Sequence, residues 1–540
     1  MIATLQADRA APADGDAVRE VPAALRRWRP RSPLQSWGWA LLVTAIAALT
    51  RFWAIGFPSE KIFDEIYYAT EAQEMLRYGY EDNRDYMFIV HPPLGKWAIG
   101  LTSWVFGDNS VGWRVAPAIA GTLSVLILIR VGQRMFRSTV LGVLAGALLT
   151  MDGISLVVSR TALLDVFLQV FILAGFAALV IDRDQLRGRL GDLYAAGVDM
   201  TLGPPRLGPR PWRLVGGVLL GLAFGVKWSA LSFWGLFALL CLVWDRNAFK
   251  SAGVRRPLRA TLKRSLPTAV LSLGVAPAIA YLVSWTGWFV GEYSWNRHWG
   301  DTHPGNGLFA LLPSSLRSLL DYHHQAYLFH THLYDSHPYK ANPWSWLILG
   351  RPISFYSPSN VTGCGAASCT REILLIGTPI MYWAIIPMLI WTIWHWATTR
   401  DWRCGVVLVA FLAGWAVWLH DIKRTMFLFY MAPLMPYLML GLAFAVGMLL
   451  SPAGEDRQPY GRRILARVRA GGAAPAARAV GVREWVAVKG ISAHRLVRTA
   501  LVALWLGAVV ADFIWMWPIF TGGLLSTDDW RARMWFPSWI

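Results

Sequence analysis

Runs of about twenty consecutive apolar residues recur along this 540-residue chain, and they constrain its fold more than any other feature. A run of that length crosses the hydrocarbon core of a bilayer as a helix, which satisfies its own backbone polar groups. Eleven stretches read as spans: 36–55, 111–129, 138–151, 162–181, 213–226, 228–244, 266–290, 374–397, 404–419, 425–450 and 499–519. The chain is therefore expected to be an all-α polytopic membrane protein. Charged residues make up 16% of it and hydrophobic ones 55%, where soluble domains carry about 25% charged. That balance excludes a soluble enzyme, a secreted disulfide scaffold and a disordered tail protein. The 31 Trp, 17 Tyr and 24 Phe supply interfacial aromatic belts.

A net charge of +18 would suggest nucleic acid in a soluble chain. Here the cations sit between spans, where they hold loops on the cytoplasmic side, and no basic nucleic-acid module is present. Segments 1–35, 130–137, 182–213, 245–265, 398–403 and 451–498 hold 34 of the 51 Lys and Arg residues. If all six face the cytoplasm, an even number of spans must separate neighbouring segments. Parity makes 213–244 a hairpin turning near Lys227–Trp228. It also makes Leu94–Phe106, too short to span, an interfacial or re-entrant helix. Residues 1–35 read as a disordered cytoplasmic tail before a signal-anchor helix, and the C-terminus falls outside. The expected organisation is a catalytic membrane module over 36–290, an extracytoplasmic loop over 291–373, and a four-span module over 374–540 with a cytoplasmic linker at 451–498. The 291–373 loop holds only five Lys and Arg residues.

Charges near the ends of apolar runs point to a site. A charge at mid-bilayer costs about 2.5–3.5 kcal/mol, so it is kept facing a cavity or a partner. Arg114, Arg160, Asp165, Lys227, Lys423 and Arg424 all fall toward the outer face in this topology. So does the pair Asp64-Glu65, which opens a helical stretch where negative charge is favoured. For any one of these, snorkelling or a local ion pair such as Arg160 with Asp165 is an equal reading; their convergence at one depth suits an anionic headgroup with a lipid tail. A sugar held on a lipid phosphate fits that chemistry. Fixed cations stabilise the phosphate as it leaves, and one carboxylate takes the proton of the acceptor hydroxyl. The outer loop also carries His298, His303, His323, His324, His330, His332 and His337 at irregular spacing, better suited to hydrogen bonding than to metal. Cys364 and Cys369 close a small disulfide or remain free thiols.

Six blocks in order resemble the protein O-mannosyltransferases (glycosyltransferase family 39, GT-C fold) in their short actinobacterial form. They are Arg51 with FDE (63–65), HPPLGK (91–96), SRTALLD (159–165), GLAFGVKWSAL (221–231), HTHLYDSHPYKANPWSWLILGRPISFY (330–356) and KRTMFLFYMAPLMPYL (423–438). The resemblance implies inverting transfer of mannose from polyprenyl-phosphate-mannose to Ser/Thr hydroxyls of secreted or membrane proteins, at the outer face of the cell membrane. It implies Asp64 as the base, with Glu65 binding the acceptor and pairing with Arg51. It implies Arg160 in the donor site, and the blocks and their charge add Lys96, Lys227, Arg424, His91 and Asp165 there. The lipid donor is a co-substrate rather than a cofactor, no metal ligand set is expected, and the need for a divalent cation stays open. Expected partners are the lipid donor, Ser/Thr-rich secretory polypeptides, the bilayer and the secretion translocon, with no nucleic acid. Eukaryotic members carry a β-trefoil insertion in the large loop, for which 83 residues are too few. The alternatives are a GT-C transferase with a lipid or glycan acceptor, and a lipid-linked-sugar transporter, for which neither charges on both faces nor a repeat is found.

Overall fold

A computed structural model describes residues 20–30, 32–81, 90–451 and 493–540. Helix α1 (Pro33–Phe52) starts at Ser32, whose side chain accepts from the Gln35 N–H, with Pro33 in the first helical position. Two helices of the first connection follow, α2 (Glu65–Tyr78) and α3 (Leu94–Phe106). Next come α4 (Ser110–Phe136), α5 (Thr139–Thr150), the short α6 (Gly153–Val158), α7 (Asp165–Ala195), α8 (Pro211–Phe224) and α9 (Ala230–Ser251). Helix α10 (Pro257–Ser284) precedes the large loop, which contains α11 (Ser314–Thr331). The chain closes with α12 (Pro379–Thr399), α13 (Trp402–Leu419), α14 (Leu428–Leu450) and α15 (Ala493–Thr521).

Each expected span coincides with a helix. Eight of them (α1, α4, α7, α10, α12, α13, α14 and α15) are long and apolar enough to cross a membrane, and α5 and α8 are shorter apolar helices. The 213–244 stretch is two helices, α8 and α9, with its turn at Lys227–Trp228 as expected. Leu94–Phe106 is a single 13-residue helix.

Two boundaries differ from the sequence reading. The run from residue 374 begins as strand rather than helix: β1 (Ile353–Tyr356) pairs antiparallel with β3 (Ile373–Leu375), and β2 (Cys369–Arg371) pairs with β4 (Leu524–Ser526). A short buried apolar strand and a buried helical turn look alike by hydropathy. Helix α7 continues to Ala195, well past the end of its apolar run, because Leu186 and Leu190 recur at helical spacing and bury against Leu25, Ala248 and Phe249. Leu25 lies in the stretch expected to be a disordered tail; within it Ala23–Leu25 forms one 3₁₀ turn. The 451–498 linker lies almost wholly outside the described residues. Cys364 and Cys369 are joined as a disulfide.

Helices α4, α7 and α14 form the centre of the bundle, while α1 and α15 lie at its rim. Glycine lets the central backbones approach: a side chain at Gly217 or Gly221 of α8 would strike the backbone of α10 at Ser272 or Pro277. Helix α10 contains two π-helical stretches, Thr261–Ser265 and Val270–Val275. Pro277 has no N–H to offer the Leu273 carbonyl one turn earlier, and Trp234 Nε1 of α9 donates to that oxygen at 2.6 Å instead. At the far end of α7, Arg210 ties Asp182 to Asp245, with Arg213 a further 3.3 Å from Asp245.

Candidate active site

One end of the bundle gathers the C-terminal ends of α1 and α8, the starts of α2, α4, α7, α9 and α14, and the end of α11. The turn entering α2 sets the centre. Phe63 has a left-handed backbone (φ 48°), a conformation disfavoured for a bulky side chain and held only where packing compels it. Its ring stacks on Phe355 at 4.5 Å and meets the edge of Phe429 at 5.9 Å. This kink leaves Asp64 at the helix start with no capping hydrogen bond, while Glu65 turns into the protein.

Glu65 is fully buried and saturated. Arg114 grips it through two parallel bonds, Nε to Oε1 at 2.8 Å and Nη2 to Oε2 at 2.7 Å. The Ala162 and Ile62 N–H groups complete its shell. Arg114 spends its remaining donors on the carbonyls of Ile55, Pro58 and Glu60, which fold the α1–α2 connection around it.

Asp64 keeps part of its surface exposed. Loss of water around it pushes its carboxyl up to about 6; Lys227 opposes that shift and Asp165 adds to it. Asp165 begins α7, and its Oδ2 lies 2.7 Å from Lys227 Nζ. Lys227 therefore keeps two N–H donors beyond this pair, and its ammonium stands 5.4 Å from the Phe429 ring and 6.0 Å from that of Tyr430. His91 and His330 face each other with ring centres 5.3 Å apart. Burial, with Lys227 and nearby cations, pulls His91 well below its usual value, and His330 is brought down to about 4, chiefly by burial. Both rings are neutral at physiological pH. Arg424 lies against His330, donating from Nε to its carbonyl at 2.9 Å. Beside this centre an apolar cavity of about 640 Å³, lined by Tyr78, Leu94, Trp97, Leu222, Val283 and Tyr293 among others, opens between α2, α3 and α10. It adjoins the site through the Leu94 N–H bonded to the Gly225 carbonyl at 3.1 Å, two residues before Lys227.

Family models match two parts of the chain. Residues 315–539 match the C-terminal four-transmembrane region of protein O-mannosyltransferase, and residues 90–204 match dolichyl-phosphate-mannose-protein mannosyltransferase. The polyprenol-phosphate-mannose–protein mannosyltransferase of Mycolicibacterium smegmatis (strain MKD8) is 38% identical over 520 residues, 94% of each chain. Its namesake from Mycobacterium tuberculosis (strain ATCC 25618 / H37Rv) is 36% identical, over 94% of this chain and 93% of its own. The chain belongs to the protein O-mannosyltransferase family. A solved structure of the Saccharomyces cerevisiae protein O-mannosyltransferase Pmt1-Pmt2 complex bound to the sugar donor matches with a TM-score of 0.69. That match covers 95% of this chain and 94% of the other at 14% identity. At such divergence the likeness speaks for the fold alone, and the fold is GT-C.

Within this protein O-mannosyltransferase the expected site residues divide into two groups. Asp64, Asp165, Lys227, His91 and Arg424 come together at this end of the bundle. Four others are bonded, wholly or in part, within the protein. Glu65 has no lone pair left for an acceptor, and its partner is Arg114, not Arg51. Arg51 is itself fully buried, donating to the Ala47 and Leu149 carbonyls at 3.3 and 3.4 Å. Lys96 is fully buried between Glu71 (3.0 Å) and Glu81 (2.6 Å), so it joins α2 to α3 rather than meeting a phosphate. Arg160 does not pair with Asp165; its Nη1 caps the end of α1 through the carbonyls of Thr50, Arg51 and Trp53, at 3.1, 3.1 and 2.6 Å, while its Nε and Nη2 meet no partner among the described residues. In the sequence Arg114 is one of several scattered charges, and His330 and Tyr430 appear only as members of the histidine-rich loop and the quoted blocks, with no role of their own. A single aromatic or histidine carries no spacing signal, and only packing brings His330 at the end of α11 and Tyr430 at the start of α14 together. No group of three or more metal-binding side chains occurs among the described residues.

Proposed function

We propose that this membrane enzyme transfers mannose from polyprenyl-phosphate-mannose to Ser/Thr hydroxyls of proteins, with inversion at the sugar. Asp64 is the base. It takes the proton of the acceptor hydroxyl as the hydroxyl oxygen bonds to the anomeric carbon; the bond from that carbon to the phosphate oxygen breaks, and polyprenyl phosphate departs. Lys227 and Arg424 stand where the phosphate charge grows, in a setting poor in water where fixed cations act strongly. The neighbouring apolar cavity suits the polyprenyl chain. The observation that carries this reading is the placement of Asp64: a carboxylate without a capping bond, partly open, beside the Lys227–Asp165 pair.

The site is assigned to the outer side of the membrane, where secretory chains emerge from the translocon. The charge distribution supports that side, because the six Arg/Lys-rich segments join the helix ends away from Asp64. Purified protein, mannosyl-phosphoryl-polyprenol and a Ser/Thr-rich peptide provide the test. Asp64→Asn is expected to abolish peptide mannosylation while donor binding persists; near-normal turnover by that variant would remove Asp64 from the mechanism.

A further inference from the structure

A hydroxyl with an unspent proton stands beside the two cations of the pocket. Tyr430 lies in the 3₁₀ turn Leu428–Leu434 that opens α14. Its ring stacks on Trp418 at 4.4 Å and meets Phe429 edge-on at 5.0 Å, which fixes its direction. Arg424 Nη1 donates to the Tyr430 oxygen at 3.2 Å. An oxygen that accepts from a guanidinium must turn its own O–H elsewhere, and no acceptor meets that proton among the described residues. The Lys227 ammonium lies 6.0 Å from the ring centre.

Arg424 is itself held so that it keeps facing Tyr430. His330 Nε2 lies 2.9 Å from the Val90 carbonyl, which only accepts, so the imidazole proton sits on Nε2. The lone pair of His330 Nδ1 then faces Arg424 Nη2 at 3.4 Å, and Nη1 also donates to the Thr425 carbonyl at 3.2 Å. With Nε on the His330 carbonyl, the guanidinium retains a single Nη2 proton for a ligand.

We propose that Tyr430 donates its hydroxyl proton to a phosphate oxygen of the lipid donor, as a third arm of the phosphate site between Arg424 and Lys227. The proposal rests on the reading of those two cations as donor-site residues. The phosphate changes from a diester to a monoester when the sugar leaves and so gains negative charge. A neutral donor held against it therefore strengthens as the bond breaks.

Tyr430→Phe removes only the hydroxyl and keeps both ring contacts. Binding of polyprenyl monophosphate to the full-length protein in detergent is the direct readout, with the uncharged polyprenol as control. The variant is expected to bind the monophosphate about tenfold more weakly, to bind polyprenol as wild type does, and to keep its peptide KM and its ligand-free thermal midpoint. Unchanged monophosphate affinity, or an equal loss toward polyprenol or peptide, overturns the proposal. If Arg424→Ala and Lys227→Ala weaken monophosphate binding while Tyr430→Phe does not, the site stands and Tyr430 falls. If none of the three weakens it, the donor-site reading itself fails.

Discussion

At the residue scale, adjacent acids of one motif do opposite work. Burial pushes the Asp64 carboxyl up to about 6, so with Asp64 as the proposed base kcat/KM is expected to decline as pH falls through about 6. For stability the sign is reversed. The folded-state value lies above the ordinary aspartate range, so folding favours the protonated form, and stability is lost as pH rises from the ordinary range through about 6. Above that window the carboxylate costs about 1–3 kcal/mol, discounted for its partial exposure. Asp64→Asn is therefore expected to raise the thermal midpoint at neutral pH while lowering turnover by about 10²–10⁴-fold; a lowered midpoint in that variant would contradict it. Glu65 behaves the other way. Arg114→Ala strands a buried carboxylate and should cost about 3–5 kcal/mol, read as loss of monodisperse protein and a lower midpoint. The motif FDE is visible in the sequence, but the division of labour is not. Which acid turns inward depends on the left-handed Phe63 and on an arginine 49 residues away.

At the element scale, short helices and turns do the positioning. The α8–α9 turn carries Lys227 to the start of α7, and its place was legible because a mostly apolar stretch of 32 residues is too long for one span. Helix α3 was legible for the opposite reason, being too short. The β1–β3 pair was not, since the three buried apolar residues of β3 satisfy either periodicity. It matters nonetheless, because Phe355 of β1 is the ring on which Phe63 stacks. Helix α10 depends on a side chain of another helix: Trp234 serves the carbonyl that Pro277 leaves unpaired. Trp234→Phe should leave that oxygen unsatisfied and lower stability by about 1–3 kcal/mol, measurable as a lower thermal midpoint in detergent. An unchanged midpoint would mean that the carbonyl finds another donor.

At the scale of the whole molecule, the bundle separates its charges. Segments of neighbouring helix ends rich in Arg and Lys lie away from the site, as with Arg255 and Arg256 before α10, whereas Asp64, Lys227 and Arg424 meet at the opposite end. The chain itself provides a quiet background for testing orientation: Cys241 and Cys404 are buried and Cys364 is bonded to Cys369. A cysteine at the exposed Ser336 is expected to react with a membrane-impermeant maleimide on intact cells, and one at the exposed Arg255 only after permeabilisation. The reverse labelling would place the site on the cytoplasmic side and remove secretory chains as acceptors.

Apolar run length and the placement of Lys and Arg are local quantities that act on each segment separately. They alone determined that this chain is a multi-helix membrane protein, where its hairpin turns, and which helix ends share a face. Tertiary structure decided which charges are spent and which are free. Arg51, Lys96 and Glu65 looked like site residues, but buried ionic partners and backbone groups hold them, whereas Arg160 gives only its Nη1 to carbonyls. A charge in a low-dielectric interior takes whatever partner packing brings within about 3 Å, and that partner comes from a distant part of the chain. Asp64 keeps part of its surface exposed and Lys227 has one carboxylate partner among the described residues, so both retain bonding capacity that Glu65 lacks.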